Sequence, residues 1–459
     1  MRPTLRGAGL GAILAAAVAS PALAWAPAAA PVAPGCGTGP AVAHYSGGAP
    51  VTPAPGGGPV PCGVSTGFAG AESHIVATAH AVVFMPAVQP SGLVGTGTAP
   101  VPIDDHTQSN ADPAGLAVTS DHGGAWALVK PFGLTWNPTD HGDYVDPATG
   151  RLFFEDYGPI PLAPVLGPAQ EGPAHVMWTN DPTSSAGWHH TALPAMFLPE
   201  NPRFEAAPPP AGAQAPSGYP DVVYFCANTN VGFVSPVITG RVCYRSLDGG
   251  DSFTPGAVLF TGAVPQHPEC GGSGEIYSAI DGYYPQAAPD GTLYVMVACG
   301  GSTYLARSTD EAATFPIMHN AGGRPVVLPL PPTAPGQVGS PDLRVDPTGT
   351  MYIAWEAGPK LLLIASGDRG RSWSAPVDLT APGVSAGQWA MAQRDGAVAV
   401  AYLGHTAGQA TQDAYLTETR NPAAMVHGGR PLFYSAKLNQ RPIYYGSSIQ
   451  GSGYITLPL

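Results

Sequence analysis

From about residue 62 onward, short runs of β-forming residues alternate with turn residues. Asp221-Val-Val-Tyr-Phe-Cys226, Arg241-Val-Cys-Tyr-Arg245 and Ala397-Val-Ala-Val-Ala-Tyr402 are such runs. Tight turns separate many of them. Asp146-Pro-Ala-Thr-Gly150-Arg-Leu-Phe153, Asp346-Pro-Thr-Gly349-Thr-Met-Tyr352, Pro289-Asp-Gly291-Thr-Leu-Tyr294 and Arg394-Asp395-Gly396 all read strand, turn, strand. Asp-Gly and Thr-Gly pairs between β-formers predict hairpins.

A second turn recurs between these hairpins: Ser/Thr-x-Asp-x-Gly-x-x-aromatic. Its clearest copies run from Ser246 through Asp248 to Phe253 and from Ser366 through Asp368 to Trp373. A third runs from Thr119 through Asp121 to Trp126. A fourth, Ser308 through Asp310 to Phe315, lacks the Gly, and a fifth, Thr179 through Asp181 to Trp188, is stretched. The closing aromatics are about 60 residues apart, and one more step reaches Phe433. Turn chemistry accounts for each position. Ser, Thr and Asp bond the turn backbone, Gly permits a positive φ, and the aromatic can fill the space between sheets. Each period therefore holds two hairpins. Six periods predict an all-β, six-bladed propeller of four-stranded blades.

The Ser-x-Asp-x-Gly-x-x-Trp/Phe motif resembles the Asp box, or BNR repeat, of the sialidase superfamily. The resemblance runs from about Glu72 to Phe433. It implies a sialidase-like six-bladed propeller with the boxes opposite the ligand-binding face. It implies less about activity, because such boxes also occur in non-catalytic propellers.

Composition changes this picture little. Of 459 residues, 60 are Gly and 54 are Pro, a level that alone would suggest low complexity. The spacing of the turns explains much of that content. Frequent Gly and Pro also exclude long helices. The formal net charge of −13, with no basic cluster, argues against nucleic acid as a partner.

The first residues read as an export leader. Arg2 and Arg6 precede an apolar run, and Ala22-Leu23-Ala24 is an A-x-A site. The reading is a signal peptide over 1–24, an Ala/Pro/Gly-rich linker over 25–61 and a propeller domain over 62–459. A secreted, extracellular monomer with no membrane span in the mature chain is expected. In that compartment six cysteines suggest disulfides. Adjacent strands suggest Cys226–Cys243, and the rest suggest Cys270–Cys299 and Cys36–Cys62.

Candidate chemistry lies where the innermost strands begin, since these starts converge on the central axis of a propeller. They are Glu72 to His74, Asp143-Tyr144, Arg203 to Glu205, Tyr283-Tyr284, Asp342 to Arg344, and Trp389. The resemblance implies a clamp of arginines on a sugar carboxylate, a Tyr nucleophile activated by a Glu, and an Asp acid/base. Arg203, Arg344 and Arg324 are the clamp candidates and Asp143 the acid/base. Tyr283 or Tyr284 would attack, with Glu205 or Glu275 as partner. Tyr144, Trp389 and Asp342 would line the site. The Arg-Ile-Pro motif of sialidases is absent, and no Arg lies between Arg6 and Arg151. No cofactor and no metal motif is found. Asp143, Asp342 and nearby carbonyls would suit a channel Ca²⁺, without a loop motif behind it.

Two functions follow as expectations. One is a sialidase-like, exo-acting glycoside hydrolase on sialic-acid-type or related sugars. The other is a non-catalytic propeller that binds extracellular glycan or protein. A lyase or hydrolase on another acidic sugar is a third, weaker reading.

Overall fold

The computed structural model describes residues 41–51, 74–85, 115–121, 123–133, 142–156, 174–194, 199–214, 216–230, 238–261, 284–299, 301–331, 341–439 and 444–445. These form six antiparallel sheets in chain order, each a blade of a β-propeller. This is the fold the resemblance implied.

Blade one is β2 (His74–Ala77), β3 (Val82–Met85), β4 (Leu116–Thr119) and β5 (Ala127–Val129). Blade two is β6 (Asp143–Val145), β7 (Leu152–Asp156), β8 (His175–Thr179) and β9 (His189–Ala192). Blade three is β10 (Pro199–Ala207), β11 (Val222–Asn230), β12 (Ile238–Ser246) and β13 (Thr254–Thr261). Blade four holds β14 (Gln286–Ala287), β15 (Leu293–Cys299) and β16 (Ser302–Ser308). Its outer position is taken by isolated bridges of Ile317 and Val327 to β16. Blade five is β17 (Asp342–Val345), β18 (Met351–Ala357), β19 (Lys360–Ser366) and β20 (Val377–Asp378).

Blade six closes the ring from both ends of the chain. Strands β21 (Val384–Arg394), β22 (Ala397–Thr406), β23 (Thr411–Thr419) and β24 (Phe433–Lys437) form the blade. Strand β1 (Val42–His44) adds to the outside of β24, with Ala43 opposite Tyr434. The stretch read as linker thus supplies a strand. This backbone pairing ties the N-terminal segment to the last blade. The short β25 (Tyr444–Tyr445) pairs with the start of β23.

The core lies between blades, and five of the closing aromatics pack into it. Trp188 packs between blades one and two, Phe253 between two and three, and Phe315 between three and four. Trp373 and Phe433 continue the series. The turns before them are nearly superimposable in their bonding. The Ser246 hydroxyl donates to Asp248 Oδ1 at 2.7 Å and accepts from Gly250 N at 2.8 Å. Ser308 with Asp310 and Ser366 with Asp368 repeat this. Thr119 with Asp121 does so with Gly123 N as the donor. Thr179 and Asp181 differ: Asp181 Oδ1 turns to Thr183 instead. The sixth copy is present without its Asp. Thr419 donates to Asn421 Oδ1 at 3.1 Å, and a short 3₁₀ helix, Pro422–His427, precedes Phe433.

Cys226 and Cys243 face each other across β11 and β12 and form the expected disulfide. Cys36, Cys62, Cys270 and the Cys299 side chain lie outside the described residues. No helix among the described residues is long and apolar enough to cross a membrane.

Candidate functional site

Within an antiparallel blade, the first strand begins at the end opposite the Ser/Thr-x-Asp turns. The starts of β2, β6, β10, β14 and β17 bring polar side chains together around the axis at that end. Alternation decides which ones. On β6, Asp143 points toward blade one while Tyr144 points into the core between blades two and three. On β10, Phe204 takes the core face, leaving Arg203 and Glu205 on the other.

Blades one and two meet in a His–Asp pair. His74 Nδ1 lies 3.0 Å from Asp143 Oδ1, with both side chains almost wholly buried. Burial, and then the charge of Arg203, hold the His74 pKa well below its ordinary value. A neutral ring with Nδ1–H donating to Asp143 fits that environment. Gly142 lets this strand approach blade three. A Cβ there would stand 2.7 Å from the Pro202 carbonyl oxygen.

Blades three, four and five build the rest. Glu205 accepts from Gln286 Nε2 at 2.7 Å and, through its other oxygen, from Ala287 N at 3.4 Å. Burial raises the Glu205 pKa to about 8, and the negative charge of Asp342 adds to it. The charge of Arg344, with the bonds from Ala287 and Gln286, opposes the shift without cancelling it. Glu205 is therefore largely a neutral carboxylic acid at pH 7. Arg344 donates to Asp342 Oδ2 at 2.9 Å. Burial also raises the Asp342 pKa, against the charges of Arg344 and Arg203.

Tyr284 sits among cations. The guanidinium of Arg203 is 4.3 Å from its ring centre and that of Arg241 is 4.9 Å away. Arg241 is 1% exposed, so its charge is held inside the protein beside this ring.

The structure thus brings together Asp143, Arg203, Glu205, Tyr284, Asp342 and Arg344. It places others elsewhere. Tyr144 is a packing residue whose hydroxyl accepts from Ala206 N. Trp389 is half-buried against the core between blades five and six. Arg324 lies on an exposed turn of the outer segment of blade four, closed by Asn320 N to the Arg324 carbonyl. That turn follows the closing aromatic Phe315, far along the blade from β14, so Arg324 does not join the clamp. Tyr283 and Glu275 lie outside the described residues.

Sequence reasoning named His74 among the strand starts without giving it a role, and did not name Gln286 or Arg241 as site residues. His74 and Gln286 stand on the same strand starts as the chosen residues, which was a usable signal. Arg241 is on the third strand of its blade and has no local signal. Among the described residues, no group of three or more His, Cys, Asp or Glu could hold a metal ion.

No family model matches the chain, and no curated protein does. Solved structures resemble it in fold. A xyloglucanase from Xanthomonas campestris is 18% identical with a TM-score of 0.36, over 68% of this chain. The match covers only 38% of that enzyme's length. An α-L-arabinanase from Penicillium chrysogenum is 14% identical, over 65% of this chain and 93% of its own, with a TM-score of 0.34. The NanB sialidase of Streptococcus pneumoniae is 10% identical, over 82% of this chain and 70% of its own, with a TM-score of 0.40. Likeness at this level says nothing about chemistry, which has to come from the site.

Proposed function

We propose that the chain is a secreted, sialidase-like propeller that cleaves glycosidic bonds of acidic sugars at the channel site. One feature supports the reading above the others: Glu205 is buried against Gln286, Asp342 and Arg344, and burial pushes its pKa up to about 8, so that it can hold a proton near neutral pH. Glycoside hydrolysis needs such a proton donor for the departing oxygen. In this reading Glu205 supplies that proton. Arg203 and Arg344 hold the acidic group of the sugar. Tyr284 would attack the anomeric carbon as the glycosidic oxygen departs with the Glu205 proton, and its own phenolic proton would pass to Asp143, which His74 orients.

The test is turnover of a fluorogenic sialoside and of a panel of aryl glycosides and glycuronides. Activity on at least one is expected. Glu205→Gln should lower kcat by about 100- to 10,000-fold while the protein stays folded. Absence of turnover from folded protein on every substrate removes the hydrolase reading.

A second reading has its own support. Arg344 is already engaged by Asp342, and no arginine occupies the first blade's strand start, where His74 stands. Those features suit a glycan-binding propeller without catalysis. In that case calorimetry would detect binding of acidic oligosaccharides that Arg203→Met weakens, with no product formed.

A further inference from the structure

The outer edge of blade two carries a set of histidines that the channel does not use. His175 lies on β8 and His190 on β9. His190 stands opposite Met177 and His175 opposite Ala192, so the two histidines are diagonal neighbours on one face of the sheet. Their ring centres are 5.6 Å apart and their planes nearly perpendicular. The next residue, His189, pairs with Trp178 and stacks on its ring at 3.9 Å, on the opposite face. Of the two diagonal histidines, His190 is exposed and His175 is partly so.

We propose that His175 and His190 form a surface site for one divalent transition-metal ion of the zinc, nickel or copper class. The separation is the first argument. Two imidazoles bound to one tetrahedral ion, at metal–nitrogen distances of about 2.0–2.1 Å, place their ring centres roughly 5–5.5 Å apart. The observed separation of 5.6 Å is close to that value. Both side chains project from one face of adjacent strands, so the backbone holds that separation without a ligand. Phe132 is the second argument. It is 53% exposed, takes a left-handed backbone conformation with φ 51°, and packs edge-on to His190 at 4.8 Å. It limits the rotation of the His190 ring and dries one side of the pair. The third is the field of a chain with net charge −13, which favours a cation at an exposed site.

Among the described residues no third His, Cys, Asp or Glu completes a cluster. Imidazole suits zinc, nickel and copper, whereas calcium and magnesium prefer all-oxygen sites. A bound ion would pin β9, the outermost strand of blade two, to β8.

Titration calorimetry of the full-length chain with zinc chloride and with nickel chloride tests this. One ion per chain is expected. His190→Ala should weaken binding by about tenfold or more, and His175→Ala likewise. His189→Ala, on the opposite face, should leave it unchanged. His190 is exposed, so its variant separates loss of a ligand from loss of the fold, which circular dichroism checks. Absence of binding to the parent chain overturns the proposal. So does equal binding by the parent and His190→Ala, or a loss in His189→Ala as large as in His190→Ala.

Discussion

The aspartates of the Ser/Thr-x-Asp turns and the carboxyls of the channel, at opposite ends of the propeller, are shifted in opposite directions. In the Ser/Thr-x-Asp turns, Asp121 is held below its ordinary pKa by the Ala125 N–H and then the Thr119 hydroxyl. Burial works against the same shift at Asp248, Asp310 and Asp368. There the hydroxyls of Ser252, Thr314 and Ser372, with other bonds from the same turns, outweigh it. In the channel, burial pushes Glu205 up to about 8 and raises Asp342. The difference lies in where the donors come from. A turn carries its own donors within four residues, so each Asp is satisfied as soon as the turn forms. The channel groups come from separate blades and meet only after the ring closes.

The turns are also where neighbouring blades are fastened, at the fourth motif position. The Gly249 carbonyl accepts from Arg151 of blade two at 2.6 Å. Glu311 pairs with Arg245 of blade three, and Arg369 with Asp290 of blade four. One turn position thus serves a local and a long-range purpose.

The comparison is most exposed to a change at Gly250. It has φ +103°, and a Cβ there would stand 2.8 Å from Trp178 and 2.9 Å from Phe153. Gly250→Val should destabilise by about 3 kcal/mol or more, from backbone strain and overpacking together. A chemical denaturation curve unchanged from the parent would show that this turn is not tightly packed.

Acid and base should damage different sets of carboxyl groups. The Glu205 pKa is raised on folding, so its contribution is complete below its ordinary value of 4.5 and is lost as pH rises to about 8. Asp221, raised to about 6 by burial and by the adjacent Asp146, loses its contribution as pH rises from 3.8. The turn aspartates behave oppositely. Their contribution is complete above 3.8 and is lost as pH falls through their lowered values. Thermal melts across about pH 3 to 9 should therefore decline on both sides of a mildly acidic optimum. Glu205→Gln should flatten the alkaline decline alone. If it flattens the acid side instead, the channel carboxyl is ionised and the contrast fails.

Ser246→Ala removes a hydroxyl that serves Asp248 and Gly250 N at once. A loss of about 1–2 kcal/mol is expected from denaturant unfolding, with any channel activity unchanged. The smallest effect belongs to the sixth turn. Asn421→Asp would restore the acidic acceptor for Thr419 and Leu432 N. A gain of a few tenths of a kcal/mol, seen as a slightly higher Tm, is expected from a charge-assisted bond.

Much of the fold was legible because its information is local and repeated. The turns at Asp248 and Asp368 read alike in sequence and bond alike in space. Phe433 was found by spacing alone, and Thr419-Arg-Asn421 could have been found by allowing Asn for Asp and a short insertion. The closure by Val42–His44 was not legible. Three residues in an Ala/Pro/Gly-rich stretch carry no strong period, and only an unpaired edge on β24 gives them a partner. The candidate site was legible at its strand starts, and Asp143, Arg203, Glu205, Tyr284, Asp342 and Arg344 do converge. Arg324 and Trp389 did not follow, because one falls on an outer turn and the other turns toward a blade interface.

By itself the amino-acid sequence determined the number of blades and the place of five Ser/Thr-x-Asp turns, and it suggested the Cys226–Cys243 pairing, since each rests on contacts along one strand or between adjacent strands. Only the tertiary structure decided the charge states of the channel. Glu205 has its pKa raised because blades three, four and five remove it from water and set Asp342 beside it. Arg241 reaches Tyr284 from the third strand of a neighbouring blade. Burial and Coulomb terms depend on distances in space, and those exist only in the closed ring.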